Sequence, residues 1–141
     1  MPERLLVVLI VAAIVVAVWA LVRRRATWYR GRDAADLLDD GRPMVLAFST
    51  PDCVPCRTAQ KPALEQLQRR YANRVDVRVV DATLHPELAD RFGILTVPST
   101  VVVGANGRVV AINYGLARAD KLATQLSLNG QHGRHQSSFQ P

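Results

Sequence analysis

Two cysteines close together in the sequence are the residues most able to carry chemistry in this chain. They stand in the segment Cys53-Val54-Pro55-Cys56, and the 141 residues contain no other cysteine. Two thiols at this spacing can form a short disulfide, so we expect Cys53 to attack a substrate disulfide and Cys56 to resolve the product. Pro55 removes a backbone donor between them and stiffens the turn. The spacing therefore predicts a redox-active pair.

The elements on either side place this pair at the start of a helix. Residues 44–48 have the length and the β-branched and aromatic content of a buried strand, bracketed by Pro43 and by Ser49-Thr50-Pro51. Residues 56–71 carry apolar side chains at helical spacings of three and four. Cys53 would then lie in the first helical turn, where free N–H groups and the helix dipole lower a thiol pKa from about 8.5 to as low as ~3.5–7.5.

Other interpretations of the cysteines are half of a zinc site or two unrelated core residues. Zinc requires two further ligands, and the chain offers only His85, His132 and His135 as histidines. The last two lie in the polar tail, for which we predict disorder. We therefore predict no metal site and no cofactor.

Residues 5–22 form an uncharged segment without glycine or proline. As a helix it would extend about 27 Å, close to the thickness of a bilayer core. A cleaved signal peptide, cut after Ala20, and a buried core helix are the alternatives. Because residues 23–25 are arginines, the amino-terminal region is poorly basic and the run is long for a signal, we predict one transmembrane helix that binds the lipid bilayer.

The basic residues beside this segment predict its orientation. The carboxyl-side flank holds Arg23, Arg24, Arg25, Arg30 and Arg32. The amino side offers Arg4, offset by Glu3. The count predicts a single-pass protein of the cell membrane whose catalytic domain is cytoplasmic, with the extracytoplasmic face as the alternative. The cysteine count cannot decide between them, since a catalytic pair works in either compartment.

The net charge of +6 does not indicate nucleic-acid binding. Much of the basic excess belongs to the membrane flank, and the remainder is spread among acids such as Asp76, Asp81, Glu87 and Asp90. We therefore predict no nucleic-acid partner.

The remaining elements alternate between helix and strand. In chain order we first predict a helix at 33–40, with Leu37 and Leu38 inward and Gly41 as its stop, and then a strand at 43–49. A helix at 53–72, kinked at Pro62, a strand at 75–80 and a helix at 86–92, closed by Gly93, should follow. The series should end with a hairpin of 100–103 and 109–113, whose turn takes positive φ values from Asn106-Gly107, and a helix at 119–128. This order predicts an α/β domain, a mixed β-sheet with helices on both faces. The predicted organisation is a membrane anchor with its basic flank at 1–26, the domain at 27–128 and a polar, disordered tail at 129–141.

Taken in order, these motifs resemble the thioredoxin family over about residues 27–128. The likeness depends on the strand at 45–48, the Cys-x-Pro-Cys pair followed by Arg57, Asp81 at the end of a strand, Phe-Gly-Ile-Leu-Thr-Val-Pro-Ser-Thr at 92–100, and the Asn106-Gly107 hairpin. The resemblance implies a thioredoxin fold, a central mixed β-sheet flanked by helices, here preceded by one transmembrane helix. It also implies a thiol-disulfide oxidoreductase, with protein disulfides as substrates and a reductase or other electron donor as partner.

The resemblance assigns further site residues. The proline that matches Pro98 is cis in the family, lies beside the cysteine pair and keeps metal away from the sulfurs; an ordinary strand-edge proline is the alternative. The Val97 backbone would hydrogen-bond an extended substrate segment. The residues expected to tune the pair are Asp52, Val54, Pro55 and Arg57.

Asp52 departs from the family, because it replaces the usual tryptophan before the first cysteine, and Ser49-Thr50-Pro51 replaces the tryptophan-containing segment upstream. Asp52 could be an N-cap that accepts the first free N–H groups of the helix. It could also be a negative charge that raises the pKa of Cys53 and favours a more reducing couple.

The buried charged pair of the family is also missing. Ala47 stands in place of its aspartate, and we assign Val77 to the position of its lysine partner. Apolar replacement of both partners is tolerated, whereas loss of one would leave a buried charge. Cys56 must then lose its proton to water, to another group or to the leaving thiolate. Pro62 lies one place later than the helix proline of the family.

These features predict a membrane-tethered thiol-disulfide oxidoreductase. One alternative is an extracytoplasmic specialised reductase similar to the tethered thioredoxins of cytochrome c maturation, although the chain lacks the insertion those proteins usually carry. Another is a non-catalytic module that binds a partner in the groove at Val97 and Pro98.

Overall fold

The computed structural model describes residues 1–128, so the predicted tail with His132 and His135 lies outside the described residues. The helices and strands, in chain order, are α1 (Pro2–Tyr29), β1 (Met44–Ser49), α2 (Lys61–Tyr71), β2 (Asp76–Asp81), α3 (Pro86–Arg91), β3 (Ser99–Val103), β4 (Val109–Tyr114) and α4 (Ala119–Gln125). Short 3-10 turns occur at Ala35–Leu37 and Ala72–Arg74, and a π-helical turn occurs at Cys56–Gln60.

The strands form one sheet in the order β2-β1-β3-β4. β1 runs parallel to β2 and antiparallel to β3, and β3 runs antiparallel to β4. The predicted mixed sheet is therefore confirmed, and β1 lies inside it with a partner on each side.

Strand β1 contributes side chains to two cores, one on each face of the sheet. Val45 and Ala47 pack with the helices α2 and α4, and their buried neighbours there include Leu64, Leu67, Tyr71 and Leu122. Met44, Leu46 and Phe48 face the other way, toward Phe92 and the residues around α3. This alternation is the two-residue period of a strand, so the apolar residues 44–48 supply both cores. Helices therefore cover both faces, as predicted.

The predicted helix at 33–40 is wrong, because only a 3-10 turn forms at Ala35–Leu37. The Asp33 carboxylate accepts a hydrogen bond from Ala35 N–H at 3.0 Å, and Ala34 N–H donates to Gly107 O at 2.7 Å. The first bond closes a local turn and the second ties the segment to the β3–β4 hairpin, in place of a helical ladder. Leu37 and Leu38 are inward as predicted, since both pack against the core that holds Phe48.

Within the hairpin turn, Gly107 alone supplies a positive φ, of 77°. Gly107 N–H donates to Gly104 O, and the Asn106 side chain accepts from Arg108 N–H at 3.1 Å. Asn106 thus acts through its side chain, contrary to the expectation that both turn residues take positive φ. Helix α4 also ends earlier than predicted, at Gln125.

Helix α1 extends past the predicted span of 5–22 to Tyr29. By length and composition it is apolar enough to cross a membrane, and none of its apolar stretch is buried within the described residues. Immediately after it, Gly31 N–H donates to Val109 O at 2.8 Å, so the chain joins the edge strand β4 directly.

Candidate active site

The two cysteines lie between β1 and α2 and are joined by a disulfide. The sulfurs of Cys53 and Cys56 are 2.06 Å apart, and the Cα atoms are 5.3 Å apart. Both residues are buried, while Val54 between them is exposed. The chain therefore brings the predicted pair together at the rim of the domain.

Helical structure begins at Val54, which makes Cys53 the residue that caps it. Cys56 N–H points at the Cys53 sulfur, at 3.3 Å. A side chain in the capping position normally accepts from this same N–H group, three residues on. A thiolate on Cys53 would therefore be held by an N–H donor at the positive end of the helix.

Asp52 is exposed and does not cap this helix. Within residues 1–128 no hydrogen bond joins its carboxylate to the first N–H groups, and the Cys53 sulfur occupies the capping position instead. The capping interpretation is therefore not supported, and the interpretation of Asp52 as a negative charge that tunes Cys53 stays a prediction.

Arg57 steadies the segment before the cysteines. Its guanidinium donates to Pro51 O at 2.7 Å, which bridges the first helical turn to the loop that leaves β1. Because Cys53 lies between these two ends, this bond restrains the loop that carries the sulfur. Arg57 is exposed, so its cation is also available at the rim.

The predicted continuous helix at 53–72 is interrupted by a π-helical turn at Cys56–Gln60. Lys61 N–H donates to Cys56 O, five residues back, and α2 then continues with Pro62 in its first turn. Such a wide turn accommodates one additional residue, and Pro62 has no N–H to form the ordinary ladder bond. Pro62 lies one place later than the helix proline of the family, and this shift is the sequence signal of the π-helical turn.

The π-helical turn directs Gln60 inward, a residue that sequence reasoning missed. Gln60 is only 3 % exposed. Its amide donates to Ala117 O and accepts from Ala117 N–H, both at 3.0 Å. This two-way bond ties the helix of the cysteine pair to the segment before α4.

A cavity of about 310 Å³ reaches Cys56 from the side of the sheet, lined in part by Ala47, Gln60, Lys61 and Val79. Ala47 pairs with Val79 across β1 and β2, whereas Val77 pairs with Val45. The residue opposite Ala47 is therefore Val79, while Val77 packs against the same core as Ala47. The assignment of Val77 to the position of the family's lysine stays a prediction. Both positions are apolar in this chain, so the wall beside Cys56 carries no charged pair.

The Val97–Pro98 peptide is cis, as the resemblance implied. Pro98 is buried, and Val97 and Thr50 line one groove of about 320 Å³. Within the described residues the Val97 backbone makes no hydrogen bond, while Pro98 O accepts from Gly115 N–H at 2.8 Å. The groove therefore presents a backbone edge next to the loop that carries Cys53.

Asp81 ends β2 as predicted and organises the turn that leads to α3. Hydrogen bonds from the Thr83 hydroxyl and N–H, at 2.6 and 2.8 Å, hold the pKa of Asp81 below its usual range. Just after the carboxyl end of α3, Gly93 O accepts a hydrogen bond from the hydroxyl of Tyr114, whose pKa is raised by burial. Within residues 1–128 no group of three acidic, histidine or cysteine side chains could hold a metal ion.

Comparison with known proteins gives one consistent family. The family model described as Thioredoxin matches residues 33–127. Thioredoxin C-2 of Corynebacterium nephridii is 35% identical over 95 residues, which are 67% of this chain and 86% of that protein. A thioredoxin of Synechocystis sp. is 29% identical over 91 residues, 64% of this chain and 83% of that one. The solved structure of a mutant thioredoxin from Halobacterium salinarum NRC-1 aligns with a TM-score of 0.58 at 26% identity, over 67% of this chain and 80% of that one.

Proposed function

Because this chain belongs to the thioredoxin family and is a thiol-disulfide oxidoreductase, we propose that it reduces or exchanges protein disulfides while anchored to a membrane by residues 5–22. The observation that carries the proposal is the Cys53–Cys56 disulfide at the start of a helix, beside a groove with an open backbone edge. The disulfide is the oxidised form of the centre, and its dithiol form is the reductant.

In the reductive direction, the Cys53 thiolate attacks a substrate disulfide and one substrate sulfur leaves as a thiol. A mixed disulfide joins Cys53 to the other substrate sulfur. Cys56 then attacks the Cys53 sulfur, the second substrate thiol leaves, and the Cys53–Cys56 bond forms. Two electrons pass from the dithiol to the substrate, so a separate reductase or other electron donor must restore the dithiol.

The residues around the pair support a division of roles. Cys53 has the N–H donor and the helix terminus that stabilise a thiolate, which suits the attacking sulfur. Cys56 borders the cavity beside Ala47 and Val79, where no carboxylate is present. Its proton therefore leaves to water in that cavity or to the departing substrate thiolate.

The groove at Val97 and Pro98 suits an extended substrate segment. A backbone without internal partners can pair with another chain in the manner of an added strand. Val97 would thereby hold the substrate disulfide in reach of Cys53. Val54 and Pro55, next to the attacking sulfur, would complete the contact surface.

The anchor and its orientation are supported by the exposed apolar helix α1 and by the arginines that follow it. The arginine count favours a cytoplasmic catalytic domain in a single-pass cell-membrane protein. A reporter that is active on only one side, fused to the carboxyl end, tests this. Activity on the exported side would instead favour the extracytoplasmic reductase.

Insulin reduction by the full chain in detergent, with dithiothreitol as donor, tests the chemistry. We expect turnover to be lost in Cys53→Ser. When reduced Cys56→Ser is freed of dithiothreitol and then mixed with insulin, we expect a mixed disulfide to accumulate, since neither Cys56 nor a small-molecule thiol is present to resolve it. Turnover in Cys53→Ser equal to that of the natural chain would refute the assigned nucleophile. Normal function of a variant lacking both thiols would favour a non-catalytic binding module.

A further inference from the structure

A groove of about 760 Å³ lies between the last turns of α1 and the loop that leads to Pro98. Its lining is apolar except for two guanidinium groups and a hydroxyl. Its lining includes Leu21, Val22, Arg24, Arg25, Trp28 and Leu95. Thioredoxin-type redox chemistry at Cys53 makes no use of this groove.

The groove is built by docked elements, because the end of α1 is held against the domain. A Cβ atom added to Gly93 would collide with the Tyr29 ring, so the absence of a side chain at this glycine allows the ring to pack on the backbone. The Arg32 guanidinium donates to Arg91 O at 2.8 Å, and the Arg108 guanidinium donates to Gly31 O at 3.0 Å. These contacts fix the direction in which α1 leaves the domain.

The lining combines the two chemistries of a phospholipid. Leu21 and Val22 end the apolar stretch of α1, and the arginines follow at once on the same helix. Leu95 faces them from the domain and is 67% exposed, and Trp28 is exposed as well. Guanidinium groups bind phosphate oxygens in a bidentate manner, and tryptophan favours the interface between hydrocarbon and headgroups.

We propose that an anionic phospholipid of the bilayer occupies this groove, with its headgroup at Arg24 and Arg25 and its acyl region against Leu21, Val22 and Leu95. The occupant follows from charge complementarity and from continuity with the apolar segment of α1. The inference rests on the membrane anchoring in the proposed function.

A consequence for the substrate follows from Leu95, which lines both the lipid groove and the groove at Val97. Leu95 precedes Pro98 by only three positions in the sequence. A lipid against one side of Leu95 places the substrate groove at the membrane surface. Protein disulfides close to the bilayer surface would then be the substrates within reach of Cys53.

Fluorescence of the full chain in vesicles tests the lipid groove. In a background with Trp19→Phe and Trp28→Phe, Leu95→Trp provides a single probe in the groove. Val79→Trp is the matched control, because it is also exposed but lies on β2, the sheet edge opposite β4 and α1. Vesicles contain phosphatidylcholine and phosphatidylglycerol, with bromine on the acyl chains of one lipid at a time.

We expect brominated lipid to remove most of the Leu95→Trp emission and to leave the Val79→Trp emission unchanged. Quenching should be stronger when the phosphatidylglycerol carries the bromine, and Arg24→Gln with Arg25→Gln should abolish that preference. Equal quenching of both probes, or no preference for the anionic lipid in the natural arginine background, would overturn the inference. Shielding of the probe only after addition of an apolar peptide would assign the groove to a protein partner and would also overturn it.

Two separate measurements distinguish this failure from failure of the proposed function. Flotation with vesicles after an alkaline wash reports the anchor, and insulin reduction in detergent reports the redox chemistry. A chain that floats and reduces insulin but shows no lipid quenching at Leu95→Trp would overturn the lipid groove alone. A chain that does not float would overturn both the anchor and the lipid groove.

Discussion

A carboxyl group introduced at Ala47 would test how strongly the cavity beside Cys56 disfavours a negative charge. Ala47 is 2% exposed and lies opposite Val79 in the sheet. Burial disfavours the ionised form of a carboxyl, so we predict that Ala47→Asp destabilises the domain at neutral pH. The introduced group would have a pKa above the usual value for aspartic acid.

The size of the effect follows from burial and from the volume of the cavity. A fully buried carboxyl shifts its pKa by up to about 3–5 units. The cavity of about 310 Å³ has room for several waters of about 30 Å³ each, and Arg57 and Lys61 line it as cations that favour a carboxylate, so we expect a smaller shift of about 2 units. At 1.36 kcal/mol per unit this lowers the free energy of unfolding by about 2.7 kcal/mol at pH 7. Urea unfolding of the full chain in detergent should show a midpoint lower by about 1–3 M.

The pH dependence has a definite sign. Because the folded pKa is raised, the penalty is absent below the unfolded pKa of about 3.9 and grows as the pH rises through the folded pKa. The urea midpoints of Ala47→Asp and the natural chain should therefore converge near pH 4 and separate toward pH 7. Midpoints that differ equally at all pH values would indicate a packing effect and refute the electrostatic reasoning.

A second substitution tests the strand register. Val79→Lys added to Ala47→Asp should recover most of the lost stability at pH 7, because Val79 is opposite and 63% exposed, so a lysine there can stay hydrated and still pair. Val77→Lys is the matched control, since Val77 pairs with Val45 and packs against the core. Better recovery by Val77→Lys than by Val79→Lys would refute the register-based assignment.

Three further predictions concern positions around the site. Gly93→Ala should lower the free energy of unfolding more than Gly41→Ala. The left-handed conformation costs each new alanine about 1–2 kcal/mol, but only Gly93 is covered by the Tyr29 ring. Equal losses in urea unfolding would mean that this ring moves aside freely. Asp52→Ala should move the thiolate absorbance titration of the reduced protein to lower pH, since it removes a negative charge beside the attacking sulfur; an unchanged or higher midpoint would contradict the charge interpretation. Hydrogen bonds from Arg91 lower the pKa of Asp36, so this pair stabilises the fold at neutral pH. Its contribution is lost as the pH falls through that lowered pKa. Asp36→Asn should therefore lower the urea midpoint at pH 7 and have no effect on it at the acid end of the titration.

Local patterns in the sequence were sufficient for the cysteine pair and its setting. The apolar run at 44–48, the turn after it and the helical spacing beyond Cys56 all depend on neighbouring residues, so they are visible without the fold. The order of these motifs indicated the mixed sheet, because strand connections are constrained by chain direction. Gly93 was also identified as a helix stop from its local position, and its φ of 65° agrees.

Predictions failed where a distant partner overrides local preference. Residues 33–40 contain helix-forming side chains, yet the bond from Ala34 N–H to Gly107 O draws the segment to the hairpin. Asp52 is a good capping residue, yet the helix begins one residue later, and the Cys53 sulfur meets the N–H group. Propensity is a weak preference, and a few tertiary hydrogen bonds outweigh it.

The sequence by itself determined the chemistry class, the likeness to thioredoxins, the nucleophile candidate and the apolar N-terminal segment, since each depends on residue type and short-range spacing. Only the tertiary structure decided that Val79 faces Ala47, that a π-helical turn buries Gln60, and that Tyr29 on Gly93 directs α1 past Leu95. Register, inserted turns and docking depend on which surfaces meet after folding. These three features are determined by contacts between residues far apart in the chain, and no short stretch of sequence contains that information.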